Sequence, residues 1–391
     1  MRVDSPELDA EIAGTTHGDR LEVHAWRDGV VVAQDLDVSS WGLGWNADRQ
    51  VQGQGTITVA DPDGSLAPWG MSDPLGPGGS RLQVTWVSGL SGARVPLGWW
   101  RIRRPDPHET WLTYNLPDGQ AVRVAGGGSV TIQADEQTAS VVMDRLDAEV
   151  VTAATCVAEV RRLVQDICPV TVHPGVGDGP VPSSLVYGES RMDAVEDLLS
   201  AIGAVYRMGP DGALEIVPAA GVGPVWTLAG GEDGVLVNLA RSLSDEGVYN
   251  AAISSGETPD GRPLIGRAYI EAGPLRWGGP FGKVPIFHRS IATTQAGVDA
   301  DAATVLTNRV SSGEVDLTVT CLTHPGLQVQ DRVTVIAATT AGELPLEGRV
   351  VGMRMSSATS DSGTTPAKKM TLTVRVSTQA LEAVAARVRR G

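Results

Sequence analysis

Apolar and polar residues alternate with a period of two through most of the first 135 positions. LEVHAW (21–26) runs into Arg27-Asp28-Gly29 and then VVVAQDLDV, two β-rich runs across an Asp-Gly turn that predict a hairpin. GTITVADP (55–62) ends in a Pro-Asp-Gly turn. RLQVTWVSG (81–89), VPLGWWRIRR (95–104) and VRVAGGGSVTIQAD (122–135) continue the series, and SDPLGPGGS (72–80) reads as a loop. Strands at this spacing, with turn signals between them, predict a β-barrel or sandwich. Residues 1–14 read as an exposed amphipathic arm or short helix.

The period lengthens from Thr138. Val141, Val142 and Leu146, then Val157, Val160, Leu163, Val164 and Ile167, recur at helical spacing up to Cys168-Pro169. After a Pro/Gly-rich loop (174–182), Ser190 and Asp193 predict a helix start in the manner of a capping box. Met192, Val195, Leu198, Leu199 and Ile202 form its buried stripe, Gly203 its end. AVYRM and ALEIV then predict a hairpin around 209–212. β-character returns in VLVNLARSLS, VYNAAISSG and RAYIEAG. A helix is predicted over 295–311, with Val298, Ala302, Val305, Leu306 and Val310 inward. VDLTVTCLT, GLQVQDRVTVIA, EGRVVGMRMSS and KKMTLTVRVS read as strands, the last after a polar, disordered-looking loop (356–366). QALEAVAARVRRG predicts a short amphipathic helix with basic residues at its C-terminus, where the dipole favours them. The expected fold class is therefore mainly β with an α+β insert: residues 1–128 a β-domain, 129–235 α+β, and 236–391 a second β-domain with a C-terminal helix.

Composition narrows the function. At 391 residues the chain is too long for one ordinary core. A formal charge of −15 disfavours gripping a nucleic-acid backbone or an anionic membrane. It suits solubility, or the lining of a channel through which DNA slides without sticking. No run of eighteen apolar residues predicts a membrane span, and the acidic start is unlike a signal peptide. Cys156, Cys168 and Cys321 show no paired spacing and read as small buried hydrophobes, as suits a chain made in a reducing cytoplasm.

Candidate chemistry is sparse. His17, His24, His108, His173, His288 and His324 include no i,i+4 pair and no Cys/His cluster, so no metal, cofactor or catalytic residue is expected. Gly126-Gly127-Gly128 reads as a turn between strands rather than a phosphate cradle. Glu189 and Asp193 read as helix-start acids, and His324-Pro325 as a loop at a strand end. Ten tryptophans against two phenylalanines are the distinctive feature. Trp41, Trp45, Trp69, Trp86, Trp99, Trp100 and Trp111 are read as core and interface residues before a carbohydrate platform. Trp45, Trp69, Trp99 and Trp100 are the candidate interface set; Trp99 and Trp100 point to opposite faces of one strand.

From 184 to 335 the sequence resembles phage tail hub proteins. SRMDAVEDLLSAIGAVYRMGPDGALEIVP (190–218) has their helix–Gly–strand–"DG"–strand order, and VYNAAISSGET (248–258) is the next match. PFGKVPIFHRSIATTQAGVDADAATVLTNRVSSGEVDLTVTCLTHPGLQVQDRVTV (280–335) follows, with Gln330 where the family usually has Gly. The whole chain, "VPLGWWRI" included, also resembles minor tail proteins of actinobacterial phages. The resemblance implies two tube-like β-barrels around an α+β domain, in a homotrimer that forms a pseudo-sixfold ring at the virion tail tip. That ring would join a hexameric tail tube to threefold tip components and line the DNA channel without specific nucleic-acid binding. Implied partners are the distal tail protein, the C-terminus of the tape-measure protein, and further tip or fibre proteins. The chain ends straight after the hub-like region, so no appended hydrolase domain is expected. A receptor- or carbohydrate-binding tip module and a cell-wall hydrolase stand as alternatives.

Overall fold

The computed structural model describes residues 5–14, 19–182, 185–232, 234–241, 248–258, 260–290, 292–311, 314–357 and 369–389. Strand accounts for 46% and helix for 16%, so the protein is mainly β, as its alternation predicts. Two compact units are present. One comprises Met1–Leu239, Thr318–Ile336 and Arg349–Val374; the other Ala240–Leu317, Ala337–Gly348 and Arg375–Gly391.

The first unit opens with helix α1 (Pro6–Ala13), capped by Ser5 and burying Leu8 and Ile12. The strands β1 (Asp19–Arg27), β2 (Val30–Ala33), β3 (Val38–Asn46), β4 (Gly53–Asp61), β5 (Arg81–Ser88), β6 (Arg94–Asn115) and β7 (Ala121–Glu136) follow. The expected hairpin forms: Asp28 and Gly29 take φ of 50° and 76°, a turn whose twist matches the flanking strands. Trp41, Leu43 and Trp45 of β3 face Ile57 and Val59 of β4 and Trp100 and Ile102 of β6 in the core. Trp45 and Trp100 meet edge-to-face at 5.2 Å, and the Trp45 indole donates to Glu136 Oε1 at 2.8 Å.

Within that unit lies a smaller α+β layer. Helices α2 (Thr138–Met143), α3 (Cys156–Val164) and α4 (Arg191–Ala201) cover β8 (Val170–Val172), β9 (Ala204–Met208) and β10 (Leu214–Pro218), ordered β8-β10-β9. Its core joins Val160, Leu163 and Val164 to Met192, Val195, Leu198, Leu199 and Ile216, with Cys156 and Cys168 buried among them. Ser190 accepts from the Asp193 N–H as the capping pattern predicts, and Gly203 follows at φ 64°. Helix α3 is capped from a distance: Asp178 accepts from Val157 N–H at 3.0 Å.

The remaining strands are β11 (Trp226–Leu228), β12 (Leu236–Arg241), β13 (Ala251–Glu257), β14 (Pro263–Tyr269), β15 (Pro285–Arg289), β16 (Glu314–Leu322), β17 (Arg332–Thr339), β18 (Gly342–Ser356) and β19 (Lys369–Ser377). One sheet runs β12-β16-β19-β18-β3-β4-β7-β6-β5-β1-β2, with β17 on β18 and β11. The N-terminal and C-terminal strands thus share a sheet, stitched where Trp45 pairs with Met353 and Leu43 with Met355. Gln330 takes φ 71°. A residue without glycine's freedom is held in the left-handed region by its N–H to Val350 O (2.8 Å) and by Arg349 donating to its side chain (2.9 Å).

In the second unit β14-β13-β15 form a sheet, with β15 parallel to β13. Helix α5 (Gln295–Ser311) has the predicted span and packs on β13 and β14 through Val298, Ala302 and Leu306. Gly266 makes room for it, since a Cβ there would stand 2.3 Å from Val298 O. The side chain of Val310 and most of the predicted polar loop lie outside the described residues. Helix α6 (Thr378–Val388), capped by Ser377, matches the predicted C-terminal helix.

Candidate assembly surface

The interface candidates are placed very differently by the fold. Trp45 (4% exposed) and Trp100 (0%) fill the core, as do Trp41 and Trp86. Trp99, on the opposite face from Trp100, lies edge-on to Trp26 at 5.6 Å. Trp69 is 85% exposed. Its loop is stiff: Asp73 accepts from the N–H groups of Trp69 and Gly70 at 2.6 and 2.7 Å, while Arg27 donates to the carbonyls of Ser72 and Asp73. Those backbone donors, Gly70 first, hold the Asp73 carboxyl below its ordinary range. Leu75 anchors the loop from beneath, fully buried.

The larger exposed feature is the outer part of the β6–β7 hairpin, which the alternation alone does not delimit. Beyond Ile102 nearly every position is open to solvent. The register pairs Leu112 with Val124 and Tyr114 with Val122, so these four side chains, spaced by two along each strand, share one face. Leu112, Tyr114, Leu116, Val122 and Val124 are all 38–55% exposed. Trp111, also exposed, points to the other face. Such a strip of exposed apolar side chains has the make-up of an interaction surface. Gly126-Gly127-Gly128, expected to be a turn, instead sits inside β7 opposite an irregularity between Glu109 and Trp111. Gly127 has φ 86°, and a Cβ on Gly128 would lie 2.1 Å from His108 O. The glycines let the two strands bend together, with Thr110 Oγ1 donating to Gly127 O at 2.6 Å.

Chemistry-bearing groups are engaged structurally. Glu22, His24 and Asp35 come together, but His24 Nδ1 accepts from Asp35 N–H (3.0 Å), Nε2 faces Glu22 (3.2 Å), and Arg94 also bonds Glu22. Glu159, wholly buried, accepts from Thr152 N–H (3.3 Å), Ala153 N–H (2.8 Å), Arg162 (2.9 and 3.1 Å) and the Tyr187 hydroxyl (2.6 Å). Burial opposes its charge, yet Arg162, Tyr187 and the two amides outweigh burial and bring its pKa down to about 2. Arg207 bridges Glu215 and Asp331, each at 2.7 Å. His324, expected to be a plain loop residue, is fully buried. It holds Asp9 of α1 at 2.8 Å and packs edge-on to Trp226 at 4.7 Å. No local signal could show this, because Asp9 lies at the far end of the sequence. Burial raises the thiols of Cys156, Cys168 and Cys321. Among the described residues no helix is long and apolar enough to cross a membrane.

This mainly β fold, with its α+β layer, is shared with solved phage tail proteins. The chain is similar to the tail protein from Neisseria meningitidis MC58: TM-score 0.58 at 14% identity, over 91% of this chain and 96% of that one. It is similar as well to the 43 kDa tail protein of prophage MuSo2 from Shewanella oneidensis (TM-score 0.54, 13% identity, 92% and 99% covered). A further likeness is to the prophage tail protein gp18 from Listeria monocytogenes EGD-e (0.51, 12%, 95% and 100%). No family model matches the sequence, and no curated protein matches it.

Proposed function

We propose that this protein is a structural component of a phage tail, acting in the virion as the tip hub. Three copies close into a ring between the hexameric tube, with its distal tail protein, and the threefold tip parts, around the path of the DNA. The observation that carries the reading is the β6–β7 arm: an apolar strip of five exposed side chains, on a fold whose likenesses cover tail proteins nearly end to end. Head-to-tail contacts of one surface with a different one close into rings when the rotation permits. An arm reaching to the next copy supplies such a contact and buries its strip. Trp69 on its stiff loop offers a second contact, to a tip or fibre protein, and the C-terminus of the tape-measure protein enters the ring from the tube side. The division at 1–128, 129–235 and 236–391 belongs to the same proposal, as does a structural rather than catalytic role.

Light scattering on the purified chain tests it, alone and with the neighbouring tail proteins. The wild type is expected as a trimer, and Leu112→Asp/Tyr114→Asp as a monomer with an unchanged circular dichroism spectrum. A wild type that stays monomeric in both settings, or a double variant that still forms the trimer, overturns it. The exposure of Trp69 favours glycan binding as the second reading, which saturable cell-wall binding lost in Trp69→Ala would establish.

A further inference from the structure

A second surface of the first unit has the make-up of a ligand site. Strand β3 turns Trp41, Leu43 and Trp45 inward and leaves Gly42 and Gly44 on the opposite face. That face, running across β19, β18, β3, β4, β7 and β6, forms an open cavity of about 570 Å³. The register sets Arg354 opposite Gly44, Gly44 opposite Gln54, and Gly42 opposite Thr56.

The floor is bare for no reason internal to the chain. A Cβ on Gly42 would meet nothing closer than 4.0 Å, and one on Gly44 nothing closer than 3.7 Å. Neither has a positive φ, so neither is needed for a turn. Glycine weakens a strand, and inside one it marks a bulge, a tight bend or the close approach of a ligand or another backbone; the register shift of β3 lies at Val38/Ser40, away from both glycines. The rim is cationic on a chain of net charge −15. Arg103 is matched by Asp135 at 3.6 Å, while Arg49 donates only to the Gln54 amide oxygen at 3.1 Å. Among the described residues neither Arg49 nor Arg354 has a carboxylate partner.

We propose that this groove binds an extended acidic peptide segment of a partner protein. Its carboxylates sit on Arg49 and Arg354, where a guanidinium fork pairs both oxygens, and its main chain crosses Gly42 and Gly44. Thr56 offers its hydroxyl oxygen to the segment's N–H groups, and Gln54 and Gln133 the second lone pairs of oxygens that already accept from Arg49 and Arg103. From β18 to β6 the face is four strand spacings wide, roughly 19 Å, the span of about six extended residues. A nucleic-acid strand fits less well. Two unpaired arginines fall short of a run of phosphate contacts, and the acidic chain repels a long polyanion.

Fluorescence anisotropy of labelled hexaglutamate on the full chain tests the site, beside hexaglutamine and a dT12 oligonucleotide. Hexaglutamate is expected to bind best, and at least tenfold more weakly in high salt and in Arg49→Glu/Arg354→Glu. Both arginines are exposed, and the double variant is expected to keep its melting profile. Gly42→Val/Gly44→Val leaves the charges in place but covers the floor, and is also expected to weaken binding at least tenfold. Absence of hexaglutamate binding, affinity unchanged in either double variant, or tighter binding of dT12 overturns the proposal.

Discussion

Replacing Glu159 by Gln removes the charge from a buried carboxylate and leaves its size unchanged. In the native fold that carboxylate accepts five hydrogen bonds, two of them from Arg162 and two from backbone amides. The amide of glutamine accepts at one oxygen only, and its NH₂ is turned against the donors at Ala153 or Thr152. The pKa of about 2, against an ordinary 4.5, measures how strongly the fold prefers the charged form. At ~1.36 kcal/mol per pH decade this is about 3 kcal/mol. The variant is expected to lose about that much stability at pH 7, measured by urea unfolding. Hydrogen exchange should place the loss in α3, α4 and the segment before them. Because the folded-state value is depressed, the contribution is complete above pH 4.5 and fades as pH falls toward 2. The gap between wild type and Glu159→Gln should therefore close over that interval. A gap that stays constant from pH 7 to 3, or a cost below about 1 kcal/mol, refutes the reasoning.

Asp331→Asn leaves the largely buried Arg207 with Glu215 as its one carboxylate among the described residues, beside the Val329 carbonyl, and a loss of about 3 kcal/mol in urea unfolding is expected. Burial lowers the His324 imidazole below 6.5 despite the Asp9 carboxylate. Its stabilising share is whole above pH 6.5 and declines below it. Exchange protection of α1 should accordingly fall between pH 7 and 5, and a flat profile would count against this. Gly266→Ala drives a methyl into the α5 backbone and should cost about 1–3 kcal/mol, with the faster exchange confined to α5 and β14.

What the sequence showed was what neighbouring residues determine. Capping at Ser190, the Asp28-Gly29 turn, the inward Val298, Ala302 and Leu306 of α5 and the alternation in β4 and β5 all depend on residues a few positions apart, and all are found. Trp69 and Trp45 stand in one candidate interface set, although Trp69 lies between the Pro62-Asp63-Gly64 turn and the loop at 72–80. One is exposed and one is core because of strands contributed from elsewhere in the chain. The triple glycine read as a turn because glycine punctuates chains. It proved to be a strand bend, which only the partner strand's register defines. Asp9 and His324, and Arg207 and Asp331, are joined by the sheet alone, whereas the long arm of β6 and β7 turns at Pro117-Asp118-Gly119, a local signal, with Gly119 at φ 83°. Gln330 is the reverse case: where the resemblance expects glycine the chain has glutamine, in a left-handed backbone that glycine favours.

The pairing of β3 with β18 has a consequence for how the protein comes into being. The two strands are roughly 300 residues apart, so at ~5–20 residues per second a ribosome needs about 15–60 s to deliver the second after the first. Throughout that interval β3 and its tryptophans present an open border. The α3–α4 layer, whose apolar core draws only on residues between 141 and 216, has time to settle first. Until its last strands arrive, such a nascent polypeptide carries a border open to pairing with a second copy, so shelter during synthesis raises its yield.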